Sequence, residues 1–239
     1  ASANLGSGRG AADPLVSNVE VLDYASGETR VASVRLQTEG TRGAHVVKLS
    51  ALAESFDANA EIRGGFNRDT WSGTLAALQN RGRYAMRLQN PVPVTIAGAP
   101  GSGLGGLASP ERIAFNGAVI ALPNGSITVD TLTKDGPRWS SRGHADKVPL
   151  TYLAQFSPAL ADNARGDLTL GAAWSVDMRA PQANGAAPSL AGNVRVFREA
   201  GDAIVGGDTP VPLGLRKLEA SAEVVGSSLR VNLDFDGAR

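Results

Sequence analysis

Cysteine is absent from the 239 residues. That excludes disulfides, thiolate catalysis and cysteine-ligated zinc, and it fits any redox compartment, since an oxidising one obliges no protein to use cysteine. Aromatics make up only 5% of the chain. They are too sparse for an aromatic-dominated core and for the Trp and Tyr girdles that rim a membrane-spanning barrel. Net charge is zero, with 23 Lys and Arg against 23 Asp and Glu, so no overall field draws in nucleic acid or an anionic membrane. No apolar run approaches the roughly 18 residues of a membrane-spanning helix. The N-terminus has no basic-then-apolar leader and no initiating Met, which reads as a mature product or a piece of a longer chain.

What the chain does have is glycine, 29 residues of it, suited to turns and bends rather than long helices, and alternation. In Gly166–Met178, Leu168, Leu170, Ala172, Trp174, Val176 and Met178 fall on one side and Asp167, Thr169, Gly171, Ser175 and Asp177 on the other. That is a strand with one apolar and one wet face, about twice the usual length of roughly 5–6 residues. Similar segments recur from Val31–Gln37 to Leu229–Phe235, among them Tyr84–Gln89, Ile113–Leu122 and Leu190–Phe197. Asn124-Gly125 is a two-residue hairpin signal. One helix is expected near 149–156, with Pro149 in its first turn and Tyr152, Leu153 and Phe156 along one face. Residues 1–13 read as a flexible tail, and 14–239 as a single β-rich segment.

Motifs that could carry catalysis lack their context. Gly101-Ser-Gly103-Leu-Gly105-Gly106 matches G-x-G-x-x-G, but no helix follows to hold a pyrophosphate, so a loop is expected. His45 and His144 have no second ligand at metal spacing. His144 with Asp146 lacks a nucleophile on a G-x-S-x-G turn. Asn124-Gly-Ser126 fits a glycosylation sequon, which the hairpin explains more simply. The reading is therefore no enzyme, no cofactor and no metal. All three Trp are followed by Ser, at 71, 139 and 174, a faint internal repeat with Trp inward and Ser outward.

An all-β chain with almost no helix hides its apolar faces either by stacking two sheets in a β-sandwich or by curving a long sheet into an open, solenoid-like groove. The order of motifs resembles the C-terminal region of the TamB family, subunits of the translocation and assembly module within the AsmA-like bridge lipid transfer proteins. The likeness runs from Val31 to Arg239. It rests on Gly64 with Trp71-Ser-Gly73-Thr-Leu75, Leu88-Gln-Asn-Pro91, Gly143 with Val148-Pro149-Leu150-Thr-Tyr-Leu153, Gly166-Asp-Leu168 leading to Trp174, Gly192, Gly201-Asp202, and Leu213-Gly214-Leu215. Some members carry a pair of cysteines after the L-x-x-P segment; this chain has none.

The resemblance implies a periplasmic, antiparallel-rich sheet folded like a taco around an apolar groove for phospholipid acyl chains moving between inner and outer membranes. It also implies a TamA-like outer-membrane barrel as partner, reached through parts C-terminal to this segment, and an inner-membrane anchor at the other end. The expected groove lining is Tyr84, Met86 and Leu88; then Ile113, Phe115 and Ile120; then Leu168, Leu170, Trp174 and Val176; and finally Val194 and Val196. Two other readings stay open: a scaffold that inserts nascent outer-membrane proteins by β-augmentation, and a passive spacer.

Overall fold

The computed structural model describes residues 2–5, 10–26, 29–99, 109–157, 165–181, 188–205, 210–226 and 228–238. In chain order the elements are β1 (Ser2–Leu5), β2 (Leu15–Ser26), β3 (Thr29–Thr41), β4 (Ala44–Ala53), β5 (Asp57–Asn67), β6 (Thr70–Asn80), β7 (Met86–Leu88), β8 (Val92–Ala97) and β9 (Arg112–Leu122). Then follow β10 (Gly125–Asp135), β11 (Arg138–Pro149), α1 (Leu150–Ala154), β12 (Arg165–Gly166), β13 (Thr169–Arg179), β14 (Ser189–Ala200), β15 (Ala203–Val205), β16 (Val211–Pro212), β17 (Leu215–Val225) and β18 (Ser228–Gly237). The protein is nearly all β, with one large antiparallel sheet that is not a closed barrel and a single short helix among the described residues. The order in that sheet is β1-β2-β3-β4-β5-β6-β7-β9-β10-β11-β13-β14-β17-β18, with β8 pairing β6 and β9 beside the path; β12, β15 and β16 form a separate small sheet. The strands do not divide into the two comparable sheets of a sandwich.

Contacts gather into two compact units, Ala1–Ala118 with Thr133–Gly136, and Val119–Leu132 with Pro137–Arg239. In the first, register stacks apolar residues in rows: Val19, Leu36, Leu49, Ala60 and Leu78 run across β2 to β6. Phe66, Trp71, Ile96 and Ile113 run across β5, β6, β8 and β9. In the second, one row holds Ala145, Ala172, Val196, Ala220 and Leu233, and the next holds Gly143, Trp174, Val194, Ala222 and Val231. The opposite face carries Arg142, Ser175, Asn193, Glu223 and Arg230 in one row. This is the period-two alternation of the sequence carried from strand to strand.

Several boundaries differ from the sequence expectation. Ser2–Leu5 pairs with Leu15–Asn18 rather than belonging to a flexible tail. Strand β2 escapes the alternation test because its apolar residues change parity along it, from Leu15, Val19 and Val21 to Leu22 and Tyr24; Asp23, with a positive φ of 50°, interrupts the pairing with β3 there, while the register is the same on both sides. The helix near 149–156 shortens to Leu150–Ala154, with no side-chain hydrogen bond at its N-cap Pro149 and no complementary charge in its end turns. The Gly101–Gly106 motif and most of the Ala180–Pro188 stretch lie outside the described residues.

The long strand expected over Gly166–Met178 is broken after Gly166, and the break builds a corner. Asp167 Oδ1 accepts the Asp202 N–H at 2.8 Å, and the Leu168 N–H donates to the Asp202 carbonyl at 3.1 Å. The Asp202 carboxylate then accepts the N–H groups of Ala203, Gly214 and Leu215 at 2.9, 2.8 and 3.0 Å. These bonds close Leu168, Ala203 and Leu215 into a buried cluster, with Leu150, Leu170, Leu213 and Leu218 packed against it. Gly166-Asp-Leu168, Gly201-Asp202 and Leu213-Gly214-Leu215, far apart in sequence, are thus parts of one device.

The N–H of Leu215, followed by those of Gly214 and Ala203 and the charge of Arg198, holds the Asp202 carboxyl below the ordinary carboxylate range against the opposing cost of desolvation. A lowered folded-state value means that the stabilisation is fully present above the unfolded value of about 3.9 and is lost as pH falls through the folded one. Asp202→Asn should lower the urea midpoint near about pH 7, and should lose less further stability on going to about pH 3 than the wild-type chain does. Equal acid sensitivity in the two proteins would show that Asp202 does not carry this linkage.

Candidate functional site

The apolar face of the second unit is half-buried on β13 and β17, exposed at points on β14, and most exposed on β18. Trp174 and Val176 on β13 are half-buried. Beyond them, Leu190 and Val194 on β14 are exposed, and on β18 Leu229, Val231, Leu233 and Phe235 are 65, 63, 70 and 55% exposed. Between β13, β14 and β17 the absent side chain of Gly192 leaves an apolar hollow of about 80 Å³, lined by Val176, Leu190, Val194, Ala222 and Val224. Soluble proteins expose isolated apolar side chains routinely, but a contiguous ladder of this kind marks a surface that meets something.

The other face is wet and ionic. Arg138 grips Asp177, with Nε donating to both carboxylate oxygens at 3.0 and 2.8 Å. Arg195 donates to both oxygens of Glu219 at 2.8 and 3.0 Å. Lys217 pairs with Asp234, and Arg230 with Glu223 at 3.4 Å. The hydrogen bond from Arg138 lowers the Asp177 carboxyl below its ordinary value, and the one from Arg195 does the same for Glu219. Exposed pairs of this kind contribute little to stability individually; their effect is to make a one-residue register slip unfavourable.

The two units anchor their tryptophans in related ways. Trp71 is 4% exposed, and its Nε1–H donates to His45 Nε2 at 2.9 Å. His45 Nδ1 lies 3.0 Å from the Thr41 carbonyl oxygen. A carbonyl only accepts, so Nδ1 carries the proton and Nε2 is free to accept from the indole. The indole lies over two glycines that face each other across the strands: a Cβ on Gly64 or Gly73 would come within 2.6 Å of the Trp71 ring. Trp174 covers Gly143 in the same manner, with a Cβ there 2.4 Å from the ring, and donates to Ser141 Oγ at 3.0 Å. The Trp-Ser dipeptides thus place Trp on the apolar face, with its ring over glycine in these two instances.

The chain matches no protein-family model, no curated protein and no solved structure.

Of the expected lining residues, Leu170, Trp174, Val176, Val194 and Val196 share one face. Leu168 sits in the closed corner, 3% exposed. Ile113 and Phe115 lie on β9 opposite Ile96 and Val94, and Ile120 lies further along β9, half-buried. Met86 and Leu88 belong to a strand of only three residues, Met86–Leu88, and Tyr84 lies in the preceding turn rather than on a strand. That turn is shaped by buried Asn80, whose Oδ1 accepts from Asp57 and Gly82 and whose Nδ2 donates to the Tyr84 carbonyl at 2.9 Å. The most exposed part of the face, Leu229 to Phe235, was missing from the expected lining although its alternation is plain in Leu-Arg-Val-Asn-Leu-Asp-Phe. His45 is a buried hydrogen-bonding residue. His144 is half-buried, with its ring nitrogens 3.8 and 3.7 Å from Asp130 and Asp146. Among the described residues no group of three or more His, Cys, Asp or Glu could hold a metal.

Trp71→Phe should cost the chain about 1–3 kcal/mol in urea unfolding, because His45 Nε2 is left buried without a donor. Trp174→Phe should cost less, since the half-exposed Ser141 hydroxyl regains water. Equal losses would mean that the His45 hydrogen bond is not what distinguishes the two sites.

Proposed function

We propose that this chain is a periplasmic segment of a TamB-like protein, and that its apolar sheet face shields phospholipid acyl chains during transfer between the inner and outer membranes. The observation that carries the reading is the apolar face that runs from β14 across β17 to β18 and is exposed at Leu190, Val194, Leu229, Val231, Leu233 and Phe235: aliphatic rows with no described strand or helix over their outer end, backed by a face of mainly polar and ion-paired residues. Each methylene withdrawn from water onto such a surface is worth about 0.8 kcal/mol, so a few contacts suffice to hold a chain that must later be released. The order of motifs resembling the TamB C-terminal region points the same way. The reading requires no catalytic group.

The scaffold reading keeps one observation in its favour. Strand β18 is long and keeps an unshifted register with β17 from Lys217↔Asp236 to Val225↔Ser228, the kind of regular backbone with which an outer-membrane client strand could pair. In that case client peptide, rather than lipid, would protect the β18 amides from hydrogen exchange.

The lipid reading is tested by extracting the purified chain and quantifying bound glycerophospholipid by mass spectrometry. Val231→Glu, at an exposed position, should change stability by no more than about 0.5 kcal/mol while reducing bound lipid about tenfold. Leu168→Ala, in the closed corner, should cost about 2–5 kcal/mol and leave lipid per folded molecule unchanged. A wild-type chain that carries no lipid, or a Val231→Glu variant that carries as much, would sink the proposal.

A further inference from the structure

The polar face of the second unit holds a basic patch that the lipid reading does not use. Alternation puts Arg138, Ser140 and Arg142 of β11 on this face beside Arg179, Asp177 and Ser175 of β13. Register sets Arg138 opposite Arg179, Ser140 opposite Asp177, and Arg142 opposite Ser175. Like charges directly opposite destabilise a sheet, so the Arg138–Arg179 pairing is a cost that the fold carries. Asp177 offsets part of it. Its carboxylate accepts from Arg138, and that hydrogen bond, with the charges of Arg138 and Arg179, holds it below its ordinary value. Arg142 has no such relief, having no acidic partner among the described residues. Three guanidiniums against one carboxylate leave two positive charges here, in a chain whose net charge is zero.

Within the patch lies a hollow of about 370 Å³, lined by Thr131, Arg138, Ser140, Arg142, Ser175 and Asp177 among others. That volume is in the range of ligand pockets, roughly 300–1,000 Å³, but its lining is cations and hydroxyls. We propose that this hollow binds the phosphate group of a small phosphomonoester, with Arg142 donating to the phosphate oxygens, Arg138 and Arg179 supplying charge, and the hydroxyls of Thr131, Ser140 and Ser175 completing the shell. A guanidinium fork matches two phosphate oxygens at once. A phosphomonoester carries a charge of about −1.5 to −2 near neutral pH, which matches the surplus. The patch is also bounded. Beyond Arg142 on β11, His144 lies between Asp130 and Asp146, and beyond Ser175 the row runs through Asn193 to Glu223. A nucleic acid needs a continuous basic stripe, so an isolated patch takes a small ligand. The hollow exceeds what one phosphate fills, which leaves room for the alcohol portion of an ester. The site lies on the face opposite the apolar rows and does not depend on the lipid reading.

The test is titration calorimetry of the purified chain near neutral pH with glycerol 3-phosphate and, separately, inorganic phosphate, with sodium chloride holding the ionic strength constant. Glycerol 3-phosphate should bind saturably and more tightly than inorganic phosphate. Arg142→Gln should weaken its binding about tenfold. Asp177→Asn removes the carboxylate that competes with the ligand and should tighten binding about threefold. Both positions are on the same exposed face, and opposite signs cannot arise from a general loss of structure. Lys217→Gln removes one positive charge from the pair with Asp234 elsewhere on this face and should leave the affinity unchanged. The absence of saturable binding, an Arg142→Gln variant that binds like the wild type, weaker binding by Asp177→Asn, an effect of Lys217→Gln as large as that of Arg142→Gln, or inorganic phosphate held as tightly as the ester would overturn the proposal.

Discussion

Everything in this molecule depends on antiparallel register. Side chains alternate with a period of two, so a slip of one residue would carry the apolar set of a strand to the wet face and the ionic set to the apolar one. Long strands with few aromatics have little bulk with which to enforce this, and the chain uses large-against-small pairings instead. The Trp71 ring fits only where Gly64 faces Gly73, and the Trp174 ring only over Gly143. On the reverse side Arg138 meets Asp177 and Arg195 meets Glu219. Shape on one face and charge on the other demand the same alignment, and that agreement gives a flat-sided sheet one preferred pairing.

Where register changes, the change is local. The pairing shifts between Glu61 and Ile62 on β5 and between Ala145 and Val148 on β11, yet on both sides of each shift the apolar residues regain a common face. Thus Ala60 opposite Leu78 and Ile62 opposite Leu75 both remain in the rows. A bulge adds one residue to one strand and bends it, so these positions steer the sheet while preserving its two-sided character.

How much of this was legible in the sequence follows from the range of each interaction. Strands such as Thr169–Arg179 and Ser189–Ala200 could be read because alternation is a local property. Strand β2 could not, because its apolar residues move from odd positions (Leu15, Val19, Val21) to even ones (Leu22, Tyr24) partway along it. The corner around Asp202 was invisible for a different reason. Its donors lie at Ala203, Gly214 and Leu215 and its companion at Asp167, and no local pattern says that these backbones meet. That is also why Leu168, apolar and correctly phased, was expected beside Trp174 yet packs with Ala203 and Leu215. The exposed face was legible as a pattern but not as exposure, since alternation says which side is apolar and nothing about what covers it.

The closed corner and the open ladder divide the energetics of the second unit. At the corner, hydrophobic burial and charge-assisted hydrogen bonds to Asp202 are both realised within the chain. Along β18 the apolar side chains stay in water, and the roughly 25 cal/mol per Å² that burial would supply is withheld from folding. Net stabilities are small differences between large terms, so surface left uncovered on this scale is a substantial fraction of the balance. Whatever covers the face only in the folded state, such as an acyl chain, adds stability as RT ln(1 + [L]/Kd). Binding and folding of the outer strands are therefore linked: among the described residues β18 pairs only with β17, and an occupant of the face adds its own contacts to that pairing. Occupancy should register first in hydrogen exchange at β17 and β18, and last at the corner, whose protection is supplied from within.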